Sequence, residues 1–212
     1  MNVRIAGVVA VVTASLLSGG VAHAAKKKPA PPPVCNQLTD DANDATFGGS
    51  LNPAGQPSSA TLDILSADIA SGKKNVVAAI RLRSLEKDTW TTGGSSYTLS
   101  WVSDGVKRAF TYRTYADSTP ADATFDADTA GGTLSDLIPV VATVTPATAT
   151  ITFTMARKLE PSLKKAGVSF TELGVNAYLA VNRQGGYTSS GMDVASSPRK
   201  YTDGALTCLK GV

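Results

Sequence analysis

Asp40, Asp41, Asn43 and Asp44 put four oxygen-bearing side chains within five consecutive residues. A hard cation fits such a set, because Ca²⁺ takes roughly six to eight oxygen ligands at about 2.3–2.6 Å. The spacing is not that of an EF-hand loop, which needs Gly at its sixth position and a bidentate Glu at its twelfth. Asp and Asn also favour turns, so a solvated turn ahead of the first strand is the competing account of the same residues. Calcium is the one cofactor that these residues suggest.

A second chemistry is offered by aromatic rings. Trp90 lies in the polar loop Lys87-Asp88-Thr89-Trp90-Thr91-Thr92-Gly93-Gly94. An exposed indole stacks on the C–H face of a sugar ring and buries about 150 Å² or more in doing so. Tyr178 falls on the outward side of its strand pattern, and Tyr187 follows Gly185-Gly186 in what reads as a loop. Trp90, Tyr178 and Tyr187 are therefore the candidate ligand platform. Against this stands the ordinary fate of a large aromatic, with Trp90 folded back to plug one end of the domain.

Catalytic chemistry is narrowly bounded. The single histidine, His23, sits in an N-terminal segment that reads as a cleaved leader. Without it the chain has no Ser-His-Asp triad, no Cys-His pair, no His-ligated zinc and no His-ligated haem. Carboxylate pairs remain, since two Asp/Glu groups about 5–10 Å apart hydrolyse glycosides. Only Glu86, Glu160 and Glu172 are glutamates, and the aspartates fall mostly in turn-like stretches, so no catalytic pair stands out.

The leader has three parts: Arg4 near the start, an apolar run Ile5–Leu17, and small residues ending Ala22-His23-Ala24. This is a secretory signal over residues 1–24, too short in its apolar part for a bilayer core that needs about 20 helical residues. Lys26, Lys27 and Lys28 after the cut resist translocation somewhat. Residues 25–34, which include KKKPAPPP, read as an extended Lys/Pro-rich linker. A single domain then spans 35–212, long enough to bury about 70% of its unfolded surface.

Export makes the Cys35 and Cys208 pair a disulfide candidate; a free nucleophilic thiol is the alternative. A crosslink closing so long a loop stabilises by about 5 kcal/mol in chain-entropy terms. Four of the 20 Lys+Arg lie in the leader and linker, leaving 16 against 17 acidic residues in the domain. A chain so close to neutral lacks the basic face of a nucleic-acid binder. The mature protein is thus expected to be secreted or attached to the cell envelope, with no transmembrane segment.

These groups must be positioned by strands. Alternation of period two dominates, broken by Gly, Pro, Asp and Ser turns. Asp104-Gly105 suits a two-residue type I′ hairpin. It would set Trp101 against Arg108, Leu99 against Phe110 and Tyr97 against Tyr112 on a core face. A second hairpin centres on Pro146-Ala147, with Ile138, Val140 and Ala142 facing Phe153, Ile151 and Met155. Further strands are expected at Leu62–Ile69, Asn75–Arg83, Leu173–Val181 and Tyr201–Thr207, and one short helical turn at Glu160–Ala166. The pattern predicts an all-β fold, an antiparallel jelly-roll-like β-sandwich.

Thr39-Asp40-Asp41-Ala42-Asn43-Asp44, then Leu62-Asp63-Ile64 and Ser66-Ala67-Asp68, the strand Thr150–Met155, and the closing Gly191-Met192-Asp193-Val194-Ala195 resemble the family 9-like carbohydrate-binding and DOMON-like β-sandwich domains of secreted bacterial proteins. The resemblance implies a non-catalytic module for sugars, and it adds Asp63 and Asp193 to the possible metal ligands. It speaks against haem here, because the haem-binding branch relies on a His ligand. The expected function is a secreted carbohydrate-binding module with a glycan or cell-wall polymer as partner and a structural calcium. A cell-envelope structural or protein-interaction domain is the alternative, and a glycan-active hydrolase comes third.

Overall fold

Alternating apolar residues carry the chain into strands wherever one side of the backbone can be buried, and the computed structural model follows that pattern closely. It describes residues 36–45, 59–72, 74–86, 94–115, 120–128, 138–159, 169–183, 186–197, 201–202 and 209. All of these belong to the compact unit Pro32–Val212. The leader, the linker, Cys35, Cys208, Trp90 and the expected helical turn Glu160–Ala166 lie outside the described residues.

The strands are β1 (Leu38–Thr39), β2 (Ile64–Ser71), β3 (Asn75–Leu82), β4 (Gly94–Ser103), β5 (Val106–Arg113), β6 (Asp122–Asp128), β7 (Ile138–Pro139), β8 (Val141–Thr145), β9 (Thr150–Ala156), β10 (Ser169–Arg183), β11 (Gly186–Ser197) and β12 (Tyr201–Thr202). They form two antiparallel sheets. The five-stranded sheet runs β1-β2-β3-β9-β8, and the seven-stranded sheet runs β11-β10-β4-β5-β6-β7 with β12 paired to β10. Single 3-10 turns occupy Pro146–Thr148 and Arg157–Leu159. The protein is an all-β sandwich, and among the described residues no helix is long and apolar enough to cross a membrane.

The two sheets meet through aromatic rings. Phe110 of the seven-stranded sheet stacks on Phe153 of the five-stranded sheet, with centroids 5.4 Å apart and planes within 11°. Trp101 and Phe125 pack against Phe110, each 5.3 Å away. All four rings are almost completely excluded from water. The β4–β5 register follows the Asp104-Gly105 turn as expected, pairing Trp101 with Arg108, Leu99 with Phe110 and Tyr97 with Tyr112. Asp104 and Gly105 both take positive φ, 52° and 73°, as a type I′ turn requires. Arg108 is buried, and its guanidinium donates to the carbonyls of Ser103 and Val106, so its own hairpin partly solvates the charge.

Three expectations need correction. The turn after β8 is one 3-10 turn followed by Ala149 in a left-handed conformation, which shifts the pairing so that Ala142 faces Phe153 and Val144 faces Ile151. Ile138-Pro139 pairs with β6 in the opposite sheet, not with β9, since the chain changes sheet at Val140. Tyr187 lies on β11, in register with Asn182, and not in a loop. Strand β11 was hidden because Thr188-Ser189-Ser190-Gly191 carries no apolar alternation.

Candidate functional site

Strand β1 has two residues, so side chains must hold it in place. Gln37 does so by donating its backbone N–H to Asp68 Oδ1 (2.9 Å) and accepting the Ile69 N–H on Oε1 (2.7 Å). Arg81 braces Asp68 from the other side at 2.6 Å. The backbone N–H of Asp40 donates to the Leu65 carbonyl at 3.1 Å, which fixes where the Asp-rich turn leaves the sheet. The turn needs Asn43 in the left-handed region (φ 74°), a conformation that Asn tolerates better than most residues.

Beside this turn comes β11, from the end of the other sheet. Asp193 is nearly buried on it, and Oδ2 accepts the Ile64 N–H at 2.7 Å, a bond between sheets spanning 129 residues of sequence. Carboxylate oxygens of Asp40, Asp44 and Asp193 lie within 4.8 Å of one another. Two oxygens on one Ca²⁺ sit at most about 5 Å apart, twice the usual Ca–O distance. The three carboxylates can therefore share one ion.

The remaining predicted ligands are used differently. Asp63 is completely buried; its Oδ2 accepts the Asn43 N–H at 2.7 Å and forms an ion pair with Arg83 Nε at 2.7 Å. It holds the turn through backbone and cation. Asp41 is exposed and stands outside the converging set. Asn43 enters through its backbone N–H.

The electrostatics of the trio are unfavourable in the absence of a cation. Burial pushes the Asp193 carboxyl up from 3.8 to about 6, and the Asp44 and Asp40 charges add to it against the opposing Ile64 N–H bond. Asp40 is also raised, first by burial and then by Asp44, Asp41 and Asp63. Asp40 Oδ2 is buried with no hydrogen-bond partner. Buried anionic oxygens in such a state cost free energy that a cation would recover.

Of the expected aromatic platform, Trp90 is outside the described residues, and for Tyr187 the description extends to the backbone only. Tyr178 is on the outer face of β10, half-buried, between Ser96 of β4 and Met192 of β11. Its neighbours Ala177 and Leu179 point into the core.

The outer face also carries a feature that no aromatic residue marks in the sequence. Ser196, Gly174, Ser100 and Ala109 stand in register across β11, β10, β4 and β5. Ser196, Gly174 and Ser100 line a trough under a cavity of about 430 Å³, and the row continues beyond it through Ala109 to Asp126 of β6. Asn176 and Val194 rise on one side of this row, Val102, Lys107 and Glu172 on the other. The pairing of β10 with β4 shifts between Thr171 and Gly174, and Glu172 takes φ 54° at this bulge. The signal was a glycine interrupting the Leu173–Val181 alternation, where a glycine within a strand often marks a bulge or an open surface. Glu172 is the one carboxylate among the described lining residues. Asp193 points to the opposite face of β11 from Val194 and Ser196.

No family model matches the chain, and neither the curated proteins nor the solved structures contain a match to it.

Proposed function

We propose that this protein is an exported, non-catalytic carbohydrate-binding module whose sandwich is clipped by one structural Ca²⁺. The observation that carries the proposal is the trough on the outer face of the seven-stranded sheet, the face that also carries Tyr178. Hydroxyl and amide groups from Ser100, Asn176 and Ser196 offer donors and acceptors together, as a polyhydroxylated ligand needs, and its volume falls in the range of small-ligand sites. Tyr178 extends the same face about 13 Å along the strand from Gly174. Glycosidase chemistry uses two carboxylates, and Glu172 is the one carboxylate among the described lining residues. The calcium would be held by Asp40, Asp44 and Asp193 and would neutralise their charge at the junction of β1 and β11.

The test is retention on immobilised polysaccharides by protein harvested from outside the cell, with its N-terminus sequenced. Retention that weakens in Tyr178→Ala, on a chain beginning at Ala25, supports the proposal. A cytosolic chain retaining residues 1–24, or no retention on any glycan, overturns it.

A second reading has its own observation. Val141 and Val144 are exposed on β8, the terminal strand of its sheet. Apolar side chains on a terminal strand suit a protein partner that adds a strand. Crosslinking from position 141 in the native envelope would recover such a partner.

A further inference from the structure

Resting on the calcium reading above, we infer that occupancy of the site formed by Asp40, Asp44 and Asp193 governs the trough, since β11 supplies both the Asp193 carboxylate and one side of the cavity. The link is covalent and short. Asp193 is directed inward from β11, and the four residues after it, Val194, Ala195, Ser196 and Ser197, all line the cavity. A shift of this carboxylate toward or away from the Asp-rich turn is carried straight into those residues.

Strand β11 is placed to respond. It is the terminal strand of its sheet, and among the described residues its ladder is with β10 alone. A polar tie to the other sheet is the Ile64 N–H bond to Asp193 Oδ2. Asp40 and Asp44 meet the same carboxylate from the turn after β1, with oxygens within 4.8 Å of one another. Three like charges so close push that turn and β11 apart, whereas a divalent cation among them draws the two together. Linkage makes the effect mutual, so a trough ligand that favours the drawn-in β11 tightens the cation by the same factor.

More than the trio calls for a cation. Asp63 is wholly buried against the same turn, where its Oδ2 accepts the Asn43 N–H and its charge is felt at Asp40. Its Oδ1 has no hydrogen-bond partner, and neither does the buried Oδ2 of Asp40. A carboxylate oxygen only accepts, so the neighbouring carboxylates cannot satisfy these atoms. A cation in their midst lowers the cost of keeping them out of water.

Amide hydrogen exchange of the purified protein at neutral pH, in millimolar Ca²⁺ or in EGTA, tests the inference, with Ca²⁺ binding itself read by equilibrium dialysis. Ca²⁺ should slow exchange at residues 194–197 and at their ladder partners 173–176 beyond any slowing in β5 and β9. The preferential slowing should reach about fivefold or more, the low end of ordinary coupling between sites. Asp44→Asn changes an exposed ligand on the turn and leaves β11 intact, so it should abolish both the binding and the slowing. Calcium binding without preferential slowing at residues 194–197, or slowing that persists in Asp44→Asn, overturns the inference and leaves the structural cation standing. No calcium binding by wild type overturns the inference together with the calcium reading.

Discussion

Asp193 shows how one residue couples packing to charge. Its carboxyl titrates near 6 in the fold against 3.8 for the ordinary group, so between those values the folded protein holds a proton that the unfolded chain has released. Stability therefore falls as pH rises from about 4 to about 6 and levels off above, by up to about 3 kcal/mol if no cation is present. Urea unfolding in EGTA across this pH range should display that slope, and Asp193→Asn should remove most of it. Asn keeps an oxygen for the Ile64 N–H while discarding the charge. Calcium reverses the argument, because it binds the ionised form. Millimolar Ca²⁺ should raise the melting temperature at pH 7.5 and have little effect at pH 4, and Asp193→Asn should lose the response. A wild-type melting curve indifferent to Ca²⁺ at pH 7.5 would remove the metal from the proposal.

At the scale of the element, the β4–β5 hairpin is the most strongly determined unit. Its turn, its register and its buried guanidinium all agree, and local agreement of this kind favours a single pairing over slipped ones. The far end of the hairpin is as tightly specified as the turn. Thr114 donates its N–H to the Ser95 carbonyl at 2.8 Å, and its hydroxyl receives the Ser95 N–H at 2.9 Å. This closeness needs glycine at position 94, where a Cβ would sit 2.3 Å from the Thr114 carbonyl oxygen. Gly94→Ala must spread the strands and is expected to cost about 1–3 kcal/mol, read as a lower midpoint in urea with an unchanged slope. Strand β10 is the opposite case. Its bulge at Glu172 gives up regular pairing with β4, and the trough lies at that departure.

For the whole molecule, the sheets are joined in two chemically different ways. The Phe110–Phe153 stack fills the centre, while the Asp193–Ile64 bond and the carboxylate trio close the side where β1 and β11 approach. Removing the central ring should be far more damaging than altering the margin. Phe153→Ala is expected to destabilise by about 3–5 kcal/mol, since neighbouring rings cannot all collapse into the space. Amide exchange should then accelerate in both sheets together. Exchange confined to β9 would mean that the sheets unfold independently. The carboxylate side is the adjustable one, since its strength follows pH through Asp193 and the aromatic centre does not titrate.

Sequence by itself determined the class of fold, because period-two alternation with turn residues permits only strands that bury one face. It also determined the β4–β5 register, since Asp104-Gly105 allows one two-residue turn. It singled out Asp40, Asp44 and Asp193 as candidate ligands, although Asp193 came from resemblance and no local pattern joined it to the others. Tertiary structure decided which carboxylates converge: Asp63 was drawn away by Arg83 and the Asn43 amide, and Asp41 was left in solvent. It also decided the trough, whose lining residues come from four strands. The physical reason is common to both. A turn or an alternating strand is fixed by neighbours a few residues away, whereas a cluster or a groove depends on which strands the collapsed core sets side by side.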